Sequence, residues 1–108
     1  MSTGEVVLDT LNYSVADLSD DELSVIRFWA PWCVSCRAME VHVNDLLAHH
    51  GTGFKAYSIN IDRNRELAEV LEVKYLPELM ILKSGEEVGR IVGEVAYDEL
   101  ENTLLEYY

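Results

Sequence analysis

The sequence is poor in cysteine, proline and cations. Its 108 residues hold two Cys, two Pro and eight Lys and Arg against twenty Asp and Glu, for a formal net charge of −12. So few cations argue against a nucleic-acid partner, because binding a phosphate backbone needs clustered Lys and Arg. The acidic excess favours solubility, and its sharper consequence is steering toward basic partners. No uncharged apolar run approaches the length of a membrane span, so no membrane partner is expected. Met1 to Glu5 lack a basic segment followed by an apolar stretch, so no signal peptide is expected and the expected compartment is cytoplasmic. Thiols are kept reduced there, which favours a catalytic over a structural role for a lone cysteine pair. Repeats, low-complexity tracts and linkers are also missing, so residues 1–108 read as one domain with an ordinary hydrophobic share of 49%.

What is present alternates between strand and helix patterns. Glu5 to Leu8 predicts a short strand, and Leu11, Val15 and Leu18 lie on one face of a short helix. Leu23 to Ala30 is almost continuously apolar, as a central strand covered on both faces should be, with Arg27 the exception. From Cys33 to about His50 the pattern is helical, with Met39, Val43, Leu46 and Leu47 inward and Gly51 and Gly53 as the stop. Phe54 to Ile61 is the next strand. Asp62 or Asn64 caps a helix from Arg65 to Glu72 that turns Leu67, Val70 and Leu71 inward. Val73 to Pro77 reads as a loop. Leu79 to Lys83 and Glu87 to Val92 form a hairpin about Ser84-Gly85, and Gly93 ends it. Ala96 to Tyr107 is a last helix with Tyr97, Leu100, Leu104 and Leu105 at core spacing. The order β-α-β-α-β-α-β-β-α describes an α/β fold, a mixed central sheet of about five strands with about four helices on its two faces.

The only two cysteines, Cys33 and Cys36, stand where the apolar strand gives way to the long helix. C-x-x-C at such a junction, in a βαβ setting, is a redox motif. Cys36 lies on the core stripe of Met39, whereas Cys33 is at the cap, so Cys33 is expected exposed and Cys36 behind it. Exchange requires a thiolate, and a free cysteine is mostly protonated at neutral pH. Unsatisfied N–H groups and the positive end of the helix dipole favour the anion at Cys33. The competing readings are two inert buried thiols or half of a zinc site. Zinc needs two further ligands, and His42, His49 and His50 run away from the first turn along the same helix, so no metal is expected. Trp29, inside the strand, reads as core, and Trp32, at the exposed junction, as a substrate contact.

The stretch Phe28-Trp29-Ala30-Pro31-Trp32-Cys33-Val34-Ser35-Cys36 resembles the active-site stretch of the thioredoxin family. So do Asn60-Ile61-Asp62, Val73 to Pro77, Lys83-Ser84-Gly85 and Gly93, in order through essentially the whole chain. The resemblance implies a thioredoxin fold and dithiol–disulfide exchange. Cys33 would be the nucleophile and Cys36 the resolving thiol, with their own disulfide as the redox group and no bound cofactor. Trp32, Val34, Ser35, Tyr75, Leu76, Pro77 and Gly93 would form the substrate surface. Pro77 would be the cis-proline, and Val73 to Leu76 would offer backbone hydrogen bonds to an extended substrate. The implied partners are disulfide-containing proteins and a thioredoxin reductase or other dithiol donor, with the chain acting as a monomer.

Three departures stand against that pattern. Val34-Ser35 replaces the usual Gly-Pro, restoring one N–H donor in the first turn and leaving the potential open. Arg27 occupies the place of a buried aspartate, and Ser58 that of its lysine partner. An arginine about 6 Å from a thiolate, at an effective dielectric near 20, contributes roughly 2–3 kcal/mol at most. That would make the pair less reducing; the alternative is that Arg27 snorkels to a surface carboxylate. Glu78 follows Pro77 where threonine is common, expected to put negative charge beside the substrate groove, and Val41 stands where a kinking proline is frequent. The main reading is a protein-disulfide reductase. The alternatives are a more oxidising exchanger or isomerase, and a binding or assembly module using the groove near Pro77.

Overall fold

The computed structural model describes residues 6–8, 23–50 and 53–107. The helix expected around Leu11, Val15 and Leu18, and the stop at Gly51, lie outside the described residues. The sheet is mixed, in the order β1-β3-β2-β4-β5, with β1 Val6–Leu8, β2 Leu23–Trp29, β3 Phe54–Asn60, β4 Glu78–Lys83 and β5 Glu86–Val92. Strand β2 runs parallel to β3 and antiparallel to β4. The parallel pair needs a crossover, which helix α1, Val34–His50, supplies. Helices α2, Arg65–Val70, and α3, Tyr97–Leu105, complete the described elements. About five strands and about four helices were expected; the described residues show four strands of six or seven residues, a three-residue edge strand and three helices.

Alternation along β2 divides the core. Leu23 and Val25 pack with Met39, Val43, Leu46, Leu100 and Leu104 beneath α1 and α3. Ile26 and Phe28 point the other way, to Leu67 of α2 with Ile59 and Met80. A strand buried on both faces keeps few polar side chains, which is why β2 reads as an apolar run. The β4–β5 hairpin turns through Ser84 at φ 55° and Gly85 at φ 81°, the left-handed backbone that a two-residue turn needs to match strand twist.

Two helical faces differ from expectation. Helix α2 stops at Val70 rather than Glu72, because Glu72 takes φ 59° and turns the chain out of the helix. Val70 is 75% exposed, and Ala68 takes the buried place beside Leu67. Asn64 stands at the cap position, but its amide donates backward to the Asn60 carbonyl at 2.8 Å rather than capping α2. In α3, Leu105 is exposed, and Tyr107 packs against the core beyond the helix end.

Candidate active site

Strand β2 ends at Trp29, and the chain turns through Pro31 and Trp32 into α1. The turn is closed by the Cys33 N–H donating to the Ala30 carbonyl at 3.0 Å. Cys33 thus stands just before the first helical residue, Val34, at the end of the helix where N–H groups lack intrahelical acceptors. Cys33 and Cys36 are joined as a disulfide with Cα atoms 5.4 Å apart. The expected order of accessibility holds, but Cys33 is itself largely covered, at 7% exposure against 1% for Cys36. Ala30, Leu76, Trp29 and Ile61 surround the pair and cover it.

Two donors address the outer sulfur. The backbone N–H of Cys36 points at Cys33 Sγ from 3.3 Å, and the Ser35 hydroxyl lies 3.7 Å from it. No acidic side chain lies in the first turn of α1 to oppose an anion there. Cys36 Sγ sits 4.0 Å from the Phe28 carbonyl, an acceptor for its thiol once the disulfide opens. Trp32 and Val34, flanking Cys33 in the chain, are exposed, as are Tyr75 and Val92. The Trp32 indole N–H donates to the Asp62 carboxylate at 3.1 Å, which fixes the ring at the rim.

The Leu76–Pro77 bond is cis, and Leu76 packs directly on the cysteine cluster. The Gly93 N–H donates to the Pro77 carbonyl at 2.8 Å, with Gly93 at φ 89°. Val73 to Leu76 differs from the expected row of free donors, because the N–H groups of Lys74 and Tyr75 turn inward to Glu78 Oε1 at 3.3 and 3.4 Å.

Glu78 is not the groove charge that its sequence position suggested. It is buried, and its other oxygen accepts from Arg90 Nη1 at 2.5 Å. The Arg90 guanidinium is held well above its ordinary pKa, first by its hydrogen bond to Glu87, against the effect of burial, and then by Glu78. Arg27 is buried as well, 3.9 Å from the half-exposed Glu40 of α1 and with Cζ 5.8 Å from the centroid of the Trp29 ring. Sequence reasoning missed Asp62, Glu40 and Arg90 as partners. A signal existed for Arg90: a glutamate inside an apolar strand requires a cation, and Arg90 is the only one in β5. Among the described residues no group of His, Cys, Asp and Glu could hold a metal, and no helix is long and apolar enough to cross a membrane.

A cysteine pair close enough to bond, at the mouth of a helix and packed against Trp29, Ile61 and Leu76, is the centre of a dithiol–disulfide exchange protein. The family profile described as Thioredoxin matches residues 4–106. The chain is 36% identical over 90 residues to a thioredoxin of Porphyra purpurea, covering 83% of this chain and 84% of that one. It is 36% identical over 92 residues to a thioredoxin of Synechocystis sp., covering 84% and 86%. It is 32% identical over 104 residues to thioredoxin 1 of Nostoc sp., covering 96% of each. The chain belongs to the thioredoxin family, and it is a thiol–disulfide oxidoreductase whose redox group is its own cysteine pair.

Proposed function

We propose that the chain works as a single domain that reduces protein disulfides in the cytoplasm, with Cys33 as nucleophile and Cys36 as resolving thiol. The observation that carries this assignment is the Cys36 N–H aimed at Cys33 Sγ at the helix mouth. It favours the anion on the outer of the two sulfurs. In the reduced protein, the Cys33 thiolate attacks one sulfur of a substrate disulfide. A Cys33–substrate disulfide forms, and the other substrate sulfur leaves as thiolate and takes a proton from solvent. Cys36 then gives up its proton and attacks Cys33 Sγ, and the second substrate sulfur leaves. Two electrons have passed to the substrate, and the protein holds the Cys33–Cys36 disulfide. A thioredoxin reductase or another dithiol donor returns it to the reduced state.

Trp32, Val34, Tyr75 and Leu76 form the contact surface for the substrate, with Ser35 beside the attacking sulfur and Pro77 and Gly93 holding the far wall. Arg27 tunes the pair from within the sheet. The first experiment is titration of the Cys33–Cys36 pair against defined thiol buffers, together with capture by Cys36→Ser in extract. A strongly reducing potential and captured mixed disulfides are expected. A distinctly oxidising potential would replace the reductase with an exchanger or isomerase, and an empty trap would favour the binding-module reading.

A further inference from the structure

The segment between α2 and β4 is held by two charges that the exchange chemistry does not use. Arg90 takes its carbonyls: Nη2 donates to the Leu71 oxygen, and Nη1 lies 3.4 Å from that of Glu72. Glu78 takes its amides, Lys74 and Tyr75, on Oε1. The two side chains meet through Arg90 Nη1 and Glu78 Oε2, and Glu87 holds the guanidinium from outside through Nε at 2.6 Å. The strand register explains the meeting. Glu78 lies opposite Val92 and Met80 opposite Arg90, so Glu78 and Arg90 are diagonal neighbours on one face of the β4–β5 pair. The segment they grip runs directly into Leu76, which packs on Cys33 and Cys36, and carries the exposed ring of Tyr75.

We infer that Glu78 and Arg90 are positioning residues that pre-order the Tyr75–Leu76 segment for a protein substrate and so set the specificity of the cysteine pair. This rests on the exchange activity proposed above and adds to it a division between substrates. A protein disulfide must lie along Tyr75 and Leu76 to reach Cys33, and a pre-ordered segment spares the cost of ordering it on binding. A small disulfide reaches the sulfur without that surface. A lone Glu78 carboxylate would be a poor clamp, because a buried charge without its partner draws water or neutralises. The pair is therefore expected to act as a unit.

The test compares reduction of insulin and of a small aromatic disulfide by the wild type, Glu78→Gln, Arg90→Lys and the double variant, each below its own melting temperature. In Glu78→Gln and Arg90→Lys, KM for insulin is expected to rise about tenfold with kcat retained, the loss of one ordered contact segment. The rate on the small disulfide is expected to stay within twofold, and the double variant to lose no more than either single one, as for groups that share one interaction. Amide exchange at Lys74 and Tyr75 is expected to quicken in Glu78→Gln. Equal losses on both substrates would make the pair a general stabiliser of the fold, and unchanged KM for insulin would show that the segment needs no clamp; either result overturns the inference. A wild type inactive on both disulfides would instead overturn the reductase reading.

Discussion

Arg27, in the middle of the central strand, lies 3.9 Å from Glu40 on the helix that begins at the cysteines. The guanidinium is almost entirely enclosed, and the carboxylate is half in solvent. The pair therefore places a buried guanidinium beneath α1, with its Glu40 partner nearer the solvent. Positive charge favours a thiolate, and hence the reduced dithiol, which raises the reduction potential. Arg27→Met is expected to lower the potential of the cysteine pair by about 30 mV, the equivalent of about 1.4 kcal/mol, and Glu40→Gln to raise it by less. Equilibration with glutathione buffers measures both. Shifts of the same sign, or none, would mean that Arg27 does not sense the sulfurs.

Gly93 donates its N–H to Pro77 and holds φ 89°, while a Cβ built on it would meet nothing within 4 Å. Substitution there costs backbone energy without a clash. Gly93→Ala is expected to destabilise by about 1–2 kcal/mol, with Gly93→Asn milder because Asn tolerates left-handed backbone. Urea denaturation reads the difference. Equal losses in the two variants would point to another cause.

At the end of α1 away from the cysteines, His50 Nε2 lies 2.7 Å from Glu101 Oε2 on α3. The His50 hydrogen bond is the first cause holding the Glu101 carboxyl below its ordinary range, and Tyr97 adds to it. A depressed folded-state pKa contributes stability that is present above the unfolded value and is lost as pH falls through the folded one. Stability is therefore expected to decline below the ordinary carboxylate range, and His50→Gln to flatten that part of the curve. Melting temperatures from neutral pH down to about pH 3 check this, since that range brackets the ordinary carboxylate value. Parallel curves for the two proteins would remove the role of His50.

Met39 is fully buried one turn beyond Cys36, whereas Val41 on the same helix is 56% exposed. Met39→Ala is expected to cost about 2–5 kcal/mol through lost burial and the cavity left behind. Val41→Ala should stay within about 0.5 kcal/mol, as exposed positions do. Chemical denaturation of the two variants separates them, and comparable costs would contradict the inward stripe on α1.

The cysteine centre was legible because its signals are local. A strand that runs apolar to Ala30, a C-x-x-C pair and a helix stripe on Met39, Val43 and Leu46 each follow from neighbours a few residues apart. The burial of Cys33 was not legible, because the cover comes from Leu76 and Ile61, distant in sequence. Val70 misled for a related reason: its spacing from Leu67 suits an inward face, but the packing of α2 on the sheet turns Leu67, Ala68 and Leu71 inward instead.

By itself the sequence determined the order of the described elements and the redox chemistry of the Cys33–Cys36 pair, since these depend on periodicity and residue type. The tertiary structure decided where the charges go. Glu78 and Arg90 are twelve residues apart, and Arg27 and Glu40 thirteen; whether each pair meets depends on strand register and helix packing. A buried charge is tolerable only with its partner in place, and that place is set by the assembled sheet rather than by neighbours in the chain.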